Sequence, residues 1–190
     1  MELSDNDKEY LLKLSRRALK HIFDTGEELE VAAEEVPKEL RIEAATFVTL
    51  TSNGDLRGCI GKLKPVQMLY IDVIENTYSA AFNDYRFREL EEKELEGIEI
   101  EISILSEPEV LKYKDSSELI EYLDKNKVGV ILADGYNSAT FLPQVWEELS
   151  KPSEFLEHLC MKAGLNGDAW KERVLDIKTY NVINFKESRL

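Results

Sequence analysis

The segment LRGCIG, residues 56–61, holds one of the two cysteines of the chain, between two glycines and two positions after an arginine. In a strand, Arg57 and Cys59 project to the same side, where a guanidinium could stabilise a thiolate. This arrangement makes Cys59 a candidate nucleophile, although the sequence places no general base beside it. The alternative is that Cys59 is a small buried hydrophobic residue, which is a common role for free cysteine. The sequence leaves both interpretations open.

The two glycines of this segment, Gly58 and Gly61, would weaken a strand unless a ligand, a bulge or another chain segment brings something close to their backbone. Their spacing alone slightly favours close packing. The chain has a net charge of -14, yet residues 56–71 contain Arg57, Lys62 and Lys64 and no acidic residue. A local anion site is therefore predicted, with a solvated lysine pair on a turn as the alternative.

A second candidate site is the charged and aromatic segment DYRFR, residues 84–88. Arg86 could bind a carboxylate or a phosphate, since a planar guanidinium suits bidentate recognition, and Asp84 could orient it. A simpler reason for the basic residues is that cations are favoured just after the C-terminus of a helix. The sequence is compatible with either role.

No metal site is predicted, and the sequence leaves any cofactor unknown. His158 and Cys160 lie two residues apart in a predicted helix, so their side chains point about 200° apart and cannot share one ion. Cys160 falls on the apolar face of that helix, whereas His158 lies off it. The nucleotide, metalloprotease, calcium and hydrolase motifs with defined spacings are missing from the sequence.

The composition indicates an ordered globular protein. The 190 residues are 43% hydrophobic and 33% charged, and the pI is about 4.7. Because the overall charge repels phosphate backbones, nucleic acid is a disfavoured partner. The first residues lack the pattern of a secretory leader, no apolar run is long enough for a membrane, and the two cysteines form no framework. We therefore expect a cytoplasmic protein without a membrane anchor.

The spacing of apolar residues predicts a mixture of helices and hairpins. An amphipathic helix is expected from Ser4 to about Phe23, and the dipeptide Asn53-Gly54 predicts a two-residue turn between two strands. With a regular register after this turn, Cys59 would lie opposite Val48. A helix is expected to begin near Pro65 and to cross this hairpin.

The second half of the sequence continues the same mixture. Alternating isoleucines at 98–104 predict a strand with one apolar face, and residues 115–123 a capped helix. Two strands are expected at 127–134 and 137–142, helices at 143–149 and 155–164, and one terminal strand at 176–185. The elements together predict an α+β fold whose mostly antiparallel sheet is flanked by helices.

Several segments, taken in order, resemble the AMMECR family, whose signature is LRGCIG. They are ATFVTL, NGDLRGCIGKLKP, DVIENTYSAAFNDYRF, IEIEISILSEPE, ATFLPQVWEEL and FLEHLCMKAGLNGDAW. The resemblance runs from about residue 8 to 185 and implies a single domain over residues 1–190, with a larger and a smaller subdomain. It also implies that the signature lies near the cleft between them. Tyr85 departs from the family pattern, which commonly has proline there.

The resemblance implies no defined reaction, because the family has no settled biochemical activity. Microbial members resemble protein A of the AmmeMemoRadiSam system, which occurs with a Memo-type protein and a radical SAM protein. The leading hypothesis is an enzyme or enzyme component acting on a small anionic ligand, and the alternative is a noncatalytic adaptor for such partners. Carried over residue by residue, the candidate catalytic residue is Cys59, and the candidate ligand-binding residues are Arg57, Gly58, Gly61, Asp84, Arg86, Phe87, Gln144, Trp146 and His158.

Overall fold

Two four-stranded sheets, each with its own helices and apolar core, organise the chain. The structure is a computed structural model that describes residues 3–187. The first unit extends to Leu105 and resumes at Ile183, and the second unit is Ser106–Val182. The prediction of an α+β fold with mostly antiparallel strands flanked by helices is confirmed.

The helices and strands follow one another along the chain in mixed order. The helices are α1 (Asp5–Thr25), α2 (Leu69–Phe82), α3 (Ser116–Asn126), α4 (Pro152–Lys162) and α5 (Ala169–Glu172). The strands are β1 (Ala45–Ser52), β2 (Asp55–Gly61), β3 (Ile98–Leu105), β4 (Glu109–Val110), β5 (Gly129–Asp134), β6 (Asn137–Phe141), β7 (Asp176–Tyr180) and β8 (Val182–Lys186). The first sheet has the order β2-β1-β3-β8, and the second has the order β4-β7-β5-β6.

Helix α1 forms as its end signals predict. The Ser4 side chain accepts a hydrogen bond from the backbone N–H of Asp7, and the Asp7 carboxylate accepts one in return from the Ser4 backbone. Gly26 ends the helix with a φ of 77°, a left-handed conformation that glycine adopts without steric cost. The buried side chains of α1, such as Leu11 and Leu19, face the core of the first unit.

Helix α2 begins at Leu69, so the predicted start near Pro65 is wrong. The backbone N–H of Leu69 donates to the carbonyl of Ile42 at 2.7 Å, and Met68 forms a single bridge with Glu43. These contacts hold the chain before Leu69 outside the helix. The predicted position of α2 across the hairpin is confirmed, since it packs on β1 and β2.

The isoleucine pattern of β3 is confirmed. Ile98, Ile100, Ile102 and Ile104 are buried in the same cluster as α1 and α2. Val48 and Leu50 of β1 join this cluster, so the helices cover one face of the first sheet. Residues that alternate with these, including Thr49, lie on the opposite face.

The predicted register of the hairpin holds for Ser52 opposite Asp55 but is wrong from Arg57 onward, because β2 contains a bulge there. Thr51 pairs with Leu56 but Leu50 pairs with Gly58, which leaves Arg57 as the extra residue. Since one extra residue reverses the faces of all later positions, Cys59 lies opposite Thr49 and not opposite Val48. Cys59 is therefore on the face away from the helices, and Gly58 is on the face toward them.

Close packing explains both glycines of the LRGCIG segment. A Cβ atom at Gly58 would lie 2.0 Å from the backbone oxygen of Ala80 in α2. One at Gly61 would lie 2.3 Å from the backbone oxygen of Thr46 and from the ring of Phe47. These distances are far inside van der Waals contact, so the glycines allow α2 and β1 to approach β2.

The second unit shows two further differences from the predicted elements. Residues 143–149 form only a short 3-10 turn, Pro143–Glu147, instead of a longer helix. The single terminal strand is in fact two strands, because β7 belongs to the second sheet and β8 to the first. Between them, Asn181 bonds back to Ser106 through both its backbone N–H and its carbonyl.

Among residues 3–187, no helix combines the length and apolar character needed to cross a membrane.

Substitution of Gly58 by alanine should destabilise the first unit by about 1–3 kcal/mol or more, because the Ala80 backbone cannot move without shifting α2. Denaturant unfolding of the variant measures this loss. Gly97→Ala is the matched control, since its nearest neighbour would be a Ser52 side-chain oxygen at 3.9 Å. Equal stability of the two variants would contradict the packing explanation.

Candidate functional site

The candidate site is centred on the Asp84 carboxylate, which binds the outer edge of β2. β2 is an edge strand, so its outward backbone groups have no neighbouring strand. One Asp84 oxygen accepts a hydrogen bond from the backbone N–H of Cys59 at 2.9 Å. The Asp84 side chain is only 2% exposed. The carboxylate thus takes the place of a strand partner at Cys59.

Arg86 completes this contact with the edge strand. Its Nε and Nη2 atoms donate to the two Asp84 oxygens at 2.9 and 2.6 Å, and Nη2 also donates to the Cys59 carbonyl at 3.2 Å. Both outward backbone groups of Cys59 are therefore satisfied by one Asp–Arg pair. In the part of the chain that the structure describes, Nη1 of Arg86 has no hydrogen-bond partner, and the side chain is 45% exposed.

These contacts shift the pKa of both side chains. The hydrogen bonds from Arg86 hold the pKa of the Asp84 carboxyl well below its usual range, against the opposing effect of burial. The backbone N–H groups of Cys59 and Arg86 lower this pKa further. Asp84 is therefore ionised at neutral pH, and its carboxylate orients the Arg86 guanidinium.

Arg57 is held by Glu94. Its Nε and Nη2 atoms donate to the two Glu94 oxygens at 2.9 and 3.0 Å. Nη1 and Nη2 also donate to the carbonyls of Arg88 and Glu89. The hydrogen bonds from Arg57 lower the pKa of Glu94 to about 2. Arg57 therefore fastens the loop after α2 to the bulge of β2, and within the described residues no hydrogen bond joins its side chain to the Cys59 sulfur.

The Cys59 side chain lies on a row of polar groups that crosses the first sheet. The Thr49 hydroxyl donates to Cys59 Sγ at 3.2 Å. Thr49 lies opposite Glu101 on β3, and Asn184 on β8 donates its side-chain amide to Glu101 at 2.9 Å. Cys59 is half-buried and has no disulfide. Within the described residues, no histidine or carboxylate is hydrogen-bonded to the sulfur, so the structure adds no general base.

The two lysines of the segment without acidic residues differ in their surroundings. Lys62 contacts the carboxylates of Asp72 and Glu75 at 3.2 and 2.8 Å. Lys64 is exposed and makes no ion pair within residues 3–187. The local excess of positive charge in the sequence is therefore largely compensated in space by acidic residues from α2.

Phe87 lies beside Arg86, whose guanidinium carbon is 5.4 Å from the ring centre. Phe87 also lines an open depression of about 400 Å³, together with Leu56, the basic residues Arg57 and Arg88 and the acidic residues Asp55 and Glu94. Leu56 is 44% exposed, which leaves an apolar contact surface beside both basic and acidic groups. A small ligand could reach Phe87 from this depression.

The three predicted site residues of the second unit, Gln144, Trp146 and His158, lie in different surroundings. Trp146 is a core residue, since its ring stacks on Phe155 with centres 3.7 Å apart and its N–H donates to the Val128 carbonyl. Gln144 is half-buried in the same 3-10 turn. His158 is exposed on α4, and Cys160 is buried, where burial raises the pKa of its thiol. A ligand-binding role for these three predicted residues stays a prediction.

Sequence reasoning missed Glu94 and Thr49. Glu94 is one of several glutamates in the segment EEKELEG, and no pattern in that segment distinguishes it. Thr49 would have been found if the bulge had been foreseen, because it then becomes the residue opposite Cys59. Gly58 is only a weak signal for such a bulge, because a glycine inside a strand often marks a bulge but is equally explained by close packing.

The chain is similar to known proteins over almost its whole length. A family model described as AMMECR1 matches residues 12–185. Protein MK0488 of Methanopyrus kandleri is 34% identical over 98% of this chain and 91% of its own length. Protein Mbar_A1807 of Methanosarcina barkeri is 38% identical, over 88% of this chain and 84% of its own length. The crystal structure of the uncharacterized protein PH0010 from Pyrococcus horikoshii matches with a TM-score of 0.88 at 30% identity, covering 99% of this chain and 95% of that one.

Replacement of Asp84 by asparagine should lower stability by about 1–3 kcal/mol at neutral pH, because Arg86 loses its carboxylate and Cys59 keeps only a weaker acceptor. The depressed pKa of Asp84 stabilises the fold above the unfolded value near 3.9, and this contribution is lost as the pH falls below it. Chemical unfolding at several pH values should therefore show the difference between wild type and variant shrinking in acid.

The control for this prediction is Asp5→Asn, which changes a carboxylate of the same unit that is 99% exposed and paired with Lys8. This change should cost less than about 1 kcal/mol. A loss at Asp84 no larger than that at Asp5, or one independent of pH, would show that the edge contact contributes little.

The two cysteines should differ in their reaction with iodoacetamide at neutral pH. Cys59 is half-buried at a sheet edge, whereas Cys160 is fully buried and its thiol pKa is raised. Peptide mass spectrometry should find Cys59 alkylated at least about tenfold faster. In denaturant the two rates should become similar. Faster alkylation of Cys160 in the folded protein would contradict its burial in the core of the second unit.

Proposed function

The chain belongs to the AMMECR1 family, and from that premise we propose that it binds a small anionic ligand beside Arg86 and Cys59, as an enzyme or as a component of one. The proposal rests on one observation, the fixed and half-exposed guanidinium of Arg86. A buried carboxylate holds two of its nitrogens, and Nη1 has no partner in the described chain. A guanidinium fixed in this way loses little side-chain entropy when it binds a carboxylate or phosphate.

The surroundings of Arg86 support the same ligand class. Phe87 offers an aromatic face beside the Arg86 guanidinium, and it also lines a neighbouring depression to which Arg86 itself does not contribute. The Cys59 backbone is bound directly by Arg86, so the thiol and the guanidinium belong to one local arrangement. Cys59 is the candidate nucleophile of this site, and the ligand-binding proposal does not depend on that role.

A noncatalytic adaptor that serves a Memo-type or radical SAM partner is the second candidate. The observation that favours it is charge compensation, because Arg57 and Arg86 each already have a carboxylate partner. Fully exposed Tyr85, beside Arg86, would suit contact with a protein surface. For either function we propose a cytoplasmic setting, which two cysteines without a disulfide support.

Isothermal titration with sodium phosphate, sulfate and succinate tests the leading proposal. The total ionic strength is held constant with sodium chloride, so that only specific binding is measured. Wild type should bind at least one of these anions, and Arg86→Lys should weaken that binding by about tenfold, because lysine cannot keep the Asp84 contact and bind bidentately. The same anion should slow the alkylation of Cys59.

The matched control is Arg17→Lys, which makes the same change at an exposed guanidinium of α1. Its effect on anion binding should be less than about twofold. Failure of all three anions to bind, or equal weakening by the two variants, would overturn the anion site. Binding of a purified Memo-type protein by wild type in that case would favour the adaptor role.

A further inference from the structure

A groove of about 810 Å³ lies in the first unit between α2 and the segment that follows α1. Its apolar lining includes Leu29, Val31, Tyr70, Ile71 and Ile74. Val31 and Ile71 are half-buried, so their side chains keep surface that another molecule could cover. None of these residues belongs to the Arg86 site described above.

One wall of the groove is a segment with strand-like alternation but no strand partner. From Glu28 to Val31 the chain is in neither helix nor strand, and burial alternates, with Leu29 buried and Glu30 exposed. Across residues 3–187, no hydrogen bond engages the backbone N–H and C=O groups of this segment. Backbone groups of this kind can pair with an added strand.

The rim of the groove is acidic. Glu27, Glu28 and Glu30 are exposed there, and no ion pair engages them in the described chain. Glu75 also lines the groove, but its charge is compensated by Lys62. An occupant with basic side chains would gain electrostatic attraction at the rim and apolar contact on the floor.

We propose that this groove binds an extended segment of a partner protein in which basic and apolar residues alternate. The segment pairs with the backbone of Glu28–Val31, since that is where the unused donors and acceptors lie. Its apolar side chains pack on Val31 and Ile71, and its basic side chains face Glu28 and Glu30. Alternation is required because successive side chains of a strand point to opposite faces.

Fluorescence anisotropy with a short fluorescein-labelled peptide of alternating lysine and valine tests this proposal. The full chain should bind it more tightly than a peptide of the same composition with its lysines and valines in separate blocks. Glu28→Lys combined with Glu30→Lys should weaken binding about tenfold or more, because both rim charges are reversed. Val31→Thr, which keeps the side-chain shape, should weaken it about threefold by removing apolar contact.

The matched control is Glu147→Lys combined with Glu148→Lys, which reverses two exposed glutamates of the second unit. This double variant changes the net charge by the same amount as the change at Glu28 and Glu30, so it measures nonspecific electrostatic attraction. Its effect on peptide binding should be small. Equal weakening by the two double variants would overturn the proposal. Equal binding of the two peptides would also overturn it, because the alternation of lysine and valine would then be irrelevant. Unchanged peptide binding by Val31→Thr would overturn it too.

Discussion

The Asp84 carboxylate links the edge of β2 to the Arg86 guanidinium in the candidate site. It accepts a hydrogen bond from the Cys59 backbone on the sheet edge and holds the Arg86 guanidinium, which in turn binds the Cys59 carbonyl. A buried carboxylate is costly unless its charge is satisfied, and here Arg86 and two backbone N–H groups satisfy it. The edge strand is therefore closed by side chains instead of another strand, and the same contacts fix the position of a half-exposed guanidinium.

The bulge at Arg57 makes this arrangement sterically feasible. It turns Gly58 toward α2, where only glycine fits beside the Ala80 backbone, and turns Cys59 to the opposite face beside Thr49. The extra residue also sends the Arg57 side chain to Glu94, which secures the loop that carries Asp84 and Arg86. Within six residues, the LRGCIG segment thus packs against α2 at Gly58 and contributes Cys59 to the polar face of the sheet. Its Arg57 side chain holds the loop after α2.

The sequence predicted the fold class, the hairpin turn, α1 and the apolar face of β3, because each depends on local periodicity or on end signals such as Ser4 and Gly26. It left a bulge open as one of three reasons for Gly58 and Gly61, but it did not place the bulge at Arg57. It also did not predict the start of α2, which contacts with Ile42 and Glu43 determine. In the candidate site, the contact between Asp84 and Arg86 was one of two interpretations of the DYRFR segment, and it joins residues that are close in the sequence. The Arg57–Glu94 pair spans 37 residues and follows from tertiary structure alone.

The backbone amide of Cys59 reports most directly on the central claim that Asp84 closes the edge of β2. Hydrogen exchange at this amide, followed by NMR at neutral pH, should be at least about a hundredfold slower than in an unstructured chain, because the carboxylate shields it from water. In Asp84→Ala, exchange at Cys59 should accelerate, while amides paired between β1 and β3 keep their relative protection. Exchange of the wild-type Cys59 amide at the unstructured rate would contradict the account.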